Sequence, residues 1–277
     1  MKLFIFFALT FIFNFYSYAS DLPNTPVPGG IATISIGQFS TAPLVKYKGK
    51  RVMTIQDNNN WYALVGIGLS ESPGQKHLDV HIATTKNKID FNIKNHKYES
   101  QYITLKTNKH VNLSKANLDR HYKEKARSRT ALNNWQEIPL STITLKSPTK
   151  GVISSPFGLR RFYNKQPRKP HSGIDIAAPT GTPIYAPLAG TVTEEGNFFF
   201  NGNVIFIDHG HGLITMYCHQ DENLVKKGQK VKQGDLIGKV GSTGRVTGPH
   251  LHWGVSLNGN MVDPLLLTPE LREKAHK

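Results

Sequence analysis

From Pro26 to about Leu105 apolar and polar positions alternate in short runs, among them Ile31-Ala-Thr-Ile-Ser-Ile36, Arg51-Val-Met-Thr-Ile55 and Trp61-Tyr-Ala-Leu-Val-Gly-Ile67, broken by Gly, Asn and Pro. A period of two puts successive side chains on opposite faces of an extended chain, so each run predicts a strand and each break a turn. The pattern changes at Leu113-Ser114, where Leu118, Tyr122, Ala126 and Leu132 recur through a charged stretch and predict a helix of about five turns capped by Ser114. After Lys146 the alternation returns, punctuated by Gly190, Gly196, Gly202, Gly210, Gly228, Gly234 and Gly241, which predicts dense short strands in an antiparallel sheet curled into a groove. The expected fold class is therefore mainly β, in three parts: a small β-rich domain over 24–108, a helical arm over 112–136 and a second β domain over 143–268. Residues 269–277 are expected to be a charged tail, frayed from Leu271 to Lys277.

The first residues depart from this pattern. Met1-Lys2 precedes the apolar run Leu3 to Phe15, and Ser17-Tyr-Ala19 sets small residues where a signal peptidase reads them, so 1–19 is expected to be a secretory signal peptide. The run is shorter than the roughly 20 residues of a spanning helix, and no transmembrane segment is expected after cleavage. An exported protein follows, periplasmic or associated with the cell envelope. Its one cysteine, Cys218, excludes an intrachain disulfide and a cysteine-rich zinc site, and is expected to be a small buried core residue. The formal charge of +15 suits anionic cell-envelope polymers; no specific nucleic-acid partner is expected of an exported chain. Basic residues crowd Lys106 to Arg129 and Lys165 to Lys169, the second group just before His171.

The candidate chemistry lies in two pieces, His171-Ser-Gly-Ile-Asp175 and His250-Leu-His252. Catalytic zinc is usually held by three imidazole or carboxylate groups with a fourth position open, and these pieces contain those ligand types. In an extended segment His250 and His252 share one face, while Leu251, Trp253 and Val255 form the other. His219, in Met216-Tyr-Cys-His219, stands at the end of another apolar run. Other histidines have blander accounts: His209-Gly-His211 is expected in a turn, and His77, Asp79 and His81 on a polar strand face. No Ser-His-Asp order and no His-Glu-x-x-His helix is present.

The stretch from Asn164 to Pro187, then Met216-Tyr-Cys-His219, then Gly248-Pro-His-Leu-His-Trp-Gly254, with Ser154-Ser-Pro-Phe-Gly-Leu-Arg160 upstream, resembles the M23 zinc metallopeptidases, the lysostaphin and LytM-type cell-wall endopeptidases. The resemblance covers roughly 147–268. It implies one Zn²⁺ per chain held by His171, Asp175 and His252, with His219 and His250 as catalytic histidines that do not bind the metal. It also implies peptidoglycan as substrate. Val27-Pro-Gly-Gly-Ile31, Trp61 to Ile67 and Tyr98-Glu-Ser-Gln-Tyr102 resemble the amino-terminal domain of some Gram-negative M23 proteins, which implies a D,D-endopeptidase acting on meso-diaminopimelate cross-links and a regulatory or lid role for that domain. One alternative is a non-catalytic LytM-type module that binds peptidoglycan or activates another hydrolase, though such relatives lack ligands that this chain keeps; another is a latent enzyme whose groove or open metal position the amino-terminal domain covers.

Overall fold

The computed structural model describes residues 22–103, 114–163, 166–167 and 169–275. The expected signal peptide, residues 106–113 of the basic cluster that runs to Arg129, and Lys165 and Arg168 of the second cluster lie outside the described residues. The first part consists of β1 (Ile31–Gly37), β2 (Leu44–Tyr47), β3 (Lys50–Arg51), β4 (Met53–Asp57), β5 (Asn60–Gly66), β6 (Gly74–Ile82) and β7 (Thr85–Ile93). They form two sheets, β1-β5-β4 and β3-β2-β6-β7. The alternation read from the sequence explains how they stack. Ala32 and Ile36 of β1 and Ala63 and Val65 of β5 pack with Val45, Leu78 and Val80 of the other sheet. The residues between them, Ile31, Leu64 and Met53 of β4, point the opposite way and join a cluster that also holds Ile174, Leu213, Trp253 and Leu257. The small sheet is thus buried on both faces, which is why β5 reads as a nearly continuous apolar run.

Next come β8 (Ser100–Ile103) and the helix α1 (Lys115–Leu132), whose cap Ser114 accepts the Asn117 N–H. The second part contains β9 (Val152–Ser155), β10 (Arg160–Tyr163), β11 (Gln166–Pro167), β12 (Ile174–Ala177) and β13 (Pro183–Tyr185). It continues with β14 (Gly190–Phe198), β15 (Gly202–Gly210), β16 (Leu213–Asn223), β17 (Lys230–Val231), β18 (Leu236–Val240), β19 (His250–Leu257) and β20 (Asn260–Val262). A ten-stranded sheet runs β17-β14-β15-β16-β19-β12-β9, with β18 and β13 attached beside β16 and β20 beside β19. Its strand pairs are antiparallel, whereas β8 pairs with β10 in parallel, Ser100 beside Arg160 and Tyr102 beside Phe162. The last strand of the stretch read as the first domain therefore belongs to a sheet with the second.

Close backbone approach joins the two parts. Gly66 N–H donates to Asn258 Oδ1, Asn260 Nδ2 donates to Gly66 O at 2.8 Å, and a Cβ on Gly66 would strike the carbonyl of Leu257. Helix α1 docks on the far side by charge. Arg127 makes paired contacts to the buried carboxylate of Glu194, and Glu124 accepts from Arg120 Nε at 2.6 Å and from the Phe199 N–H at 2.8 Å. The tail differs from its expected fraying: Pro269–Ala275 is a helix, α2, because Leu271 is buried in the main core and Glu270 pairs with Lys146.

Candidate metal centre

The register between β12 and β19 sets Asp175 directly opposite His252 and Ala177 opposite His250. Leu251, Trp253 and Val255 enter the main core, so both β19 histidines emerge on the other face of the sheet, as their spacing requires. His171 precedes β12 on a segment fixed by Gly158 N–H to His171 O and His171 N–H to Leu159 O. Three donor atoms meet there. His171 Nε2 lies 3.0 Å from Asp175 Oδ1 and 3.0 Å from His252 Nδ1, and His252 Nδ1 lies 2.9 Å from Asp175 Oδ1. Among the described residues this is the one His/Cys/Asp/Glu group of three or more that converges tightly enough for a metal ion.

Protonation chemistry shows what this triangle is built for. His171 Nδ1 lies 2.8 Å from Pro156 O, and a carbonyl only accepts, so Nδ1 carries the hydrogen and Nε2 turns its lone pair toward Asp175 and His252. Lone pairs and a carboxylate oxygen this close call for a shared cation, and a ligating histidine held by its other N–H on a backbone carbonyl is the usual support of a metal site. The donor set, two imidazoles and one carboxylate, is of the kind that catalytic zinc sites use. Burial would raise the Asp175 carboxyl, but the imidazoles of His171 and His252 set against it hold it well below the usual carboxylate range. Burial pushes the His252 imidazole down, against the pull of Asp175.

The structure brings His219 and His250 to the same place. His250 Nδ1 is 2.9 Å from Gly248 O and its Nε2 is 3.8 Å from Asp175 Oδ1. The His219 ring centroid is 4.9 Å from that of His250 and 6.2 Å from that of His252. His219 Nδ1 meets Thr243 O at 2.9 Å, so both rings have Nδ1–H committed to the main chain and Nε2 left with its lone pair. Burial pulls the His219 imidazole down to about 4, so it is neutral at pH 7.

His219 reaches the site through a device that local sequence does not reveal. Tyr217 pairs with Ile205 and Gln220 with Asn203, so β16 carries one residue more than β15 across that interval. The extra residue is absorbed with His219 at φ 64°, the left-handed region, and His219 N–H donates to Asn201 O at 2.8 Å. Such a bulge turns a side chain to a new direction. Tyr217 and Cys218 are fully buried, and Asn201 Nδ2 lies 3.2 Å from Cys218 Sγ. Burial drives the thiol up to about 12, which leaves Cys218 a packing residue and not a nucleophile.

Of the remaining histidines, His77, Asp79 and His81 lie on β6, opposite Asp90, Lys88 and Lys86 of β7. His211 sits in a tight turn at φ 51°, but His209 is not a turn residue: it belongs to β15 and is fully buried, with Nδ1 on Ala189 O and Nε2 on Thr215 Oγ1, both at 2.8 Å. Burial lowers its imidazole to about 4, so between the ordinary value of 6.5 and 4 the unfolded chain binds the extra proton. Stability from neutral His209 is present above about pH 6.5 and lost as pH falls toward 4, on the order of 3 kcal/mol in all. Melting curves from pH 7.5 to 4.5 are expected to fall less steeply for His209→Gln than for the wild type.

A β-built pocket of two histidines and an aspartate that could hold a metal ion, flanked by two more histidines, is an arrangement that suits a metallopeptidase. The sequence model for Peptidase family M23 matches residues 169–264, and that for the Peptidase family M23 N-terminal domain matches 24–96. A solved M23 peptidase from Pseudomonas aeruginosa is 39% identical, superposes with a TM-score of 0.78, and matches over 91% of this chain and 98% of its own. The chain belongs to peptidase family M23. Peptidoglycan DD-endopeptidase ShyA of Vibrio cholerae is 45% identical over 118 residues, 42% of this chain and 27% of that protein. DD-carboxypeptidase/endopeptidase Mpg of Neisseria meningitidis is 44% identical over 124 residues, 44% of this chain and 29% of that protein. The matched stretch thus spans less than a third of either relative.

Proposed function

We propose that the protein is an exported zinc endopeptidase that hydrolyses amide bonds in peptidoglycan stem-peptide cross-links, in particular D,D bonds to meso-diaminopimelate. The observation that carries this is the convergence of His171 Nε2, Asp175 Oδ1 and His252 Nδ1 within 3.0 Å of one another, with His219 and His250 beside them. The first three would hold one zinc ion. When bound there, zinc supplies Lewis acidity and a water whose pKa falls to about 7.

The rest of the chemistry belongs to side chains of this chain. His219 and His250, each tied by Nδ1–H to a carbonyl, present Nε2 to take a proton from the attacking water and return it to the leaving amine. Their orientation is fixed before substrate arrives, so little reorganisation accompanies the proton transfers. Peptidoglycan is supported as substrate by the name of one relative, peptidoglycan DD-endopeptidase ShyA. An exported location is supported by the signal-like residues 1–19, and affinity for anionic envelope polymers by the charge of +15. No helix among the described residues is long and apolar enough to cross a membrane.

Incubation of the zinc-loaded protein with a purified D,D-cross-linked muropeptide dimer tests the proposal. Two monomers whose summed mass exceeds that of the dimer by one water are expected; an intact dimer contradicts it.

A further inference from the structure

The turn between β14 and β15 is anchored on both sides. On one, Glu124 of α1 accepts the Phe199 N–H and the His121 ring meets Phe200 edge-on at 4.8 Å. On the other, Asn201 O accepts the His219 N–H, and Phe200 O accepts the Arg245 N–H at 3.0 Å. Arg245 is two residues beyond Thr243, whose carbonyl holds His219 Nδ1, and two residues span at most about 7 Å. Its exposed guanidinium lies over the Phe200 ring, 4.3 Å from the centroid, and among the described residues it has no carboxylate partner. An arginine stacked in this way is held in direction while its N–H fork stays open to a planar anion.

We propose that Arg245 is the specificity-determining residue that receives a substrate carboxylate beside the scissile amide. This rests on the peptidoglycan reading above and adds the chemistry by which the groove selects. In a D,D cross-link to meso-diaminopimelate, the carbon bearing the scissile nitrogen also bears a carboxyl group, which places an anion next to the bond that His219 and His250 serve. The Phe200 stack sets the fork, and α1 sets Phe200, so the linker helix supports recognition from outside the peptidase match at 169–264.

The test uses the full-length zinc-loaded protein and two muropeptide dimers that differ in one group, with that carboxylate either free or converted to the carboxamide. The wild type is expected to favour the free acid by on the order of 10- to 100-fold in kcat/KM, mainly through KM. In Arg245→Gln the ratio is expected to fall toward one with metal content retained. Arg245→Lys, a point charge without the fork, is expected to keep an intermediate ratio. An Arg245→Gln ratio equal to that of the wild type, or a wild-type ratio of one, would overturn the role of Arg245 alone. Cleavage of neither dimer by the wild type would overturn the function proposed above and this role with it.

Discussion

His252→Ala and Asp175→Ala are expected to lose both bound zinc and turnover, whereas His219→Ala and His250→Ala are expected to keep the metal and lose about 10²- to 10⁴-fold in kcat. The split follows from which nitrogen each ring presents and where. His252 Nδ1 and Asp175 Oδ1 are corners of the donor triangle, each about 3.0 Å from the other and from His171 Nε2. Removing either leaves two donors, too few to hold a catalytic ion. His219 and His250 stand outside the triangle, with their Nδ1 atoms on Thr243 O and Gly248 O. His219→Asn is a useful companion to the alanine variant, because asparagine tolerates the left-handed backbone found there at φ 64° and isolates the loss of the imidazole from backbone strain. Metal analysis beside steady-state kinetics on the same preparations checks the split; loss of zinc from all four variants would refute the assignment of roles.

Gly66→Val is expected to lower the melting temperature of the whole protein more than substitution of a surface strand residue. Overpacking costs typically about 1–3 kcal/mol, and the upper end or more is expected here because the new side chain would meet backbone. The glycine faces the Leu257 carbonyl with no room for a Cβ, and its own N–H and C=O are paired with Asn258 and Asn260. Separating these chains also opens the cluster that Ile31, Met53 and Leu64 share with Trp253 and Leu257, and Trp253 follows His252 directly. For the same reason, deleting 20–105 is expected to expose a large apolar face of the peptidase, and the readout is thermal unfolding rather than a simple gain in activity. One cooperative transition in the wild type, lowered as a unit in Gly66→Val, is the expected result; an unchanged peptidase transition would show that the two parts are energetically separate.

Local periodicity carried much of this architecture. The alternation in β1, β4, β5 and β19 gave strands, and Ser114 gave the start of α1, because these depend on neighbours a few residues away. Of the five candidate residues, His250 and His252 were legible for the same reason, since they share a face by strand geometry alone, whereas the grouping of His171, Asp175 and His219 with them came from the resemblance to M23 peptidases. What stayed hidden depends on distant pairing. The bulge at His219 exists only in the mismatch between β15 and β16. The parallel pairing of β8 with β10, the burial of the small sheet on both faces and the docking of Leu271 all depend on segments far away in the chain. Arg245 gave no signal in the sequence beyond its closeness to Thr243, because its significance rests on the ring of Phe200.

The most direct test of the central claim is digestion of purified sacculi by the mature protein as isolated, after treatment with a chelator, and after zinc is restored, with the released fragments read by mass spectrometry. Cross-linked dimers are expected to disappear in the first and third samples and to persist in the second. Dimers lost equally in all three, or persisting in all three despite one zinc bound per chain, would contradict a metal-dependent peptidoglycan endopeptidase.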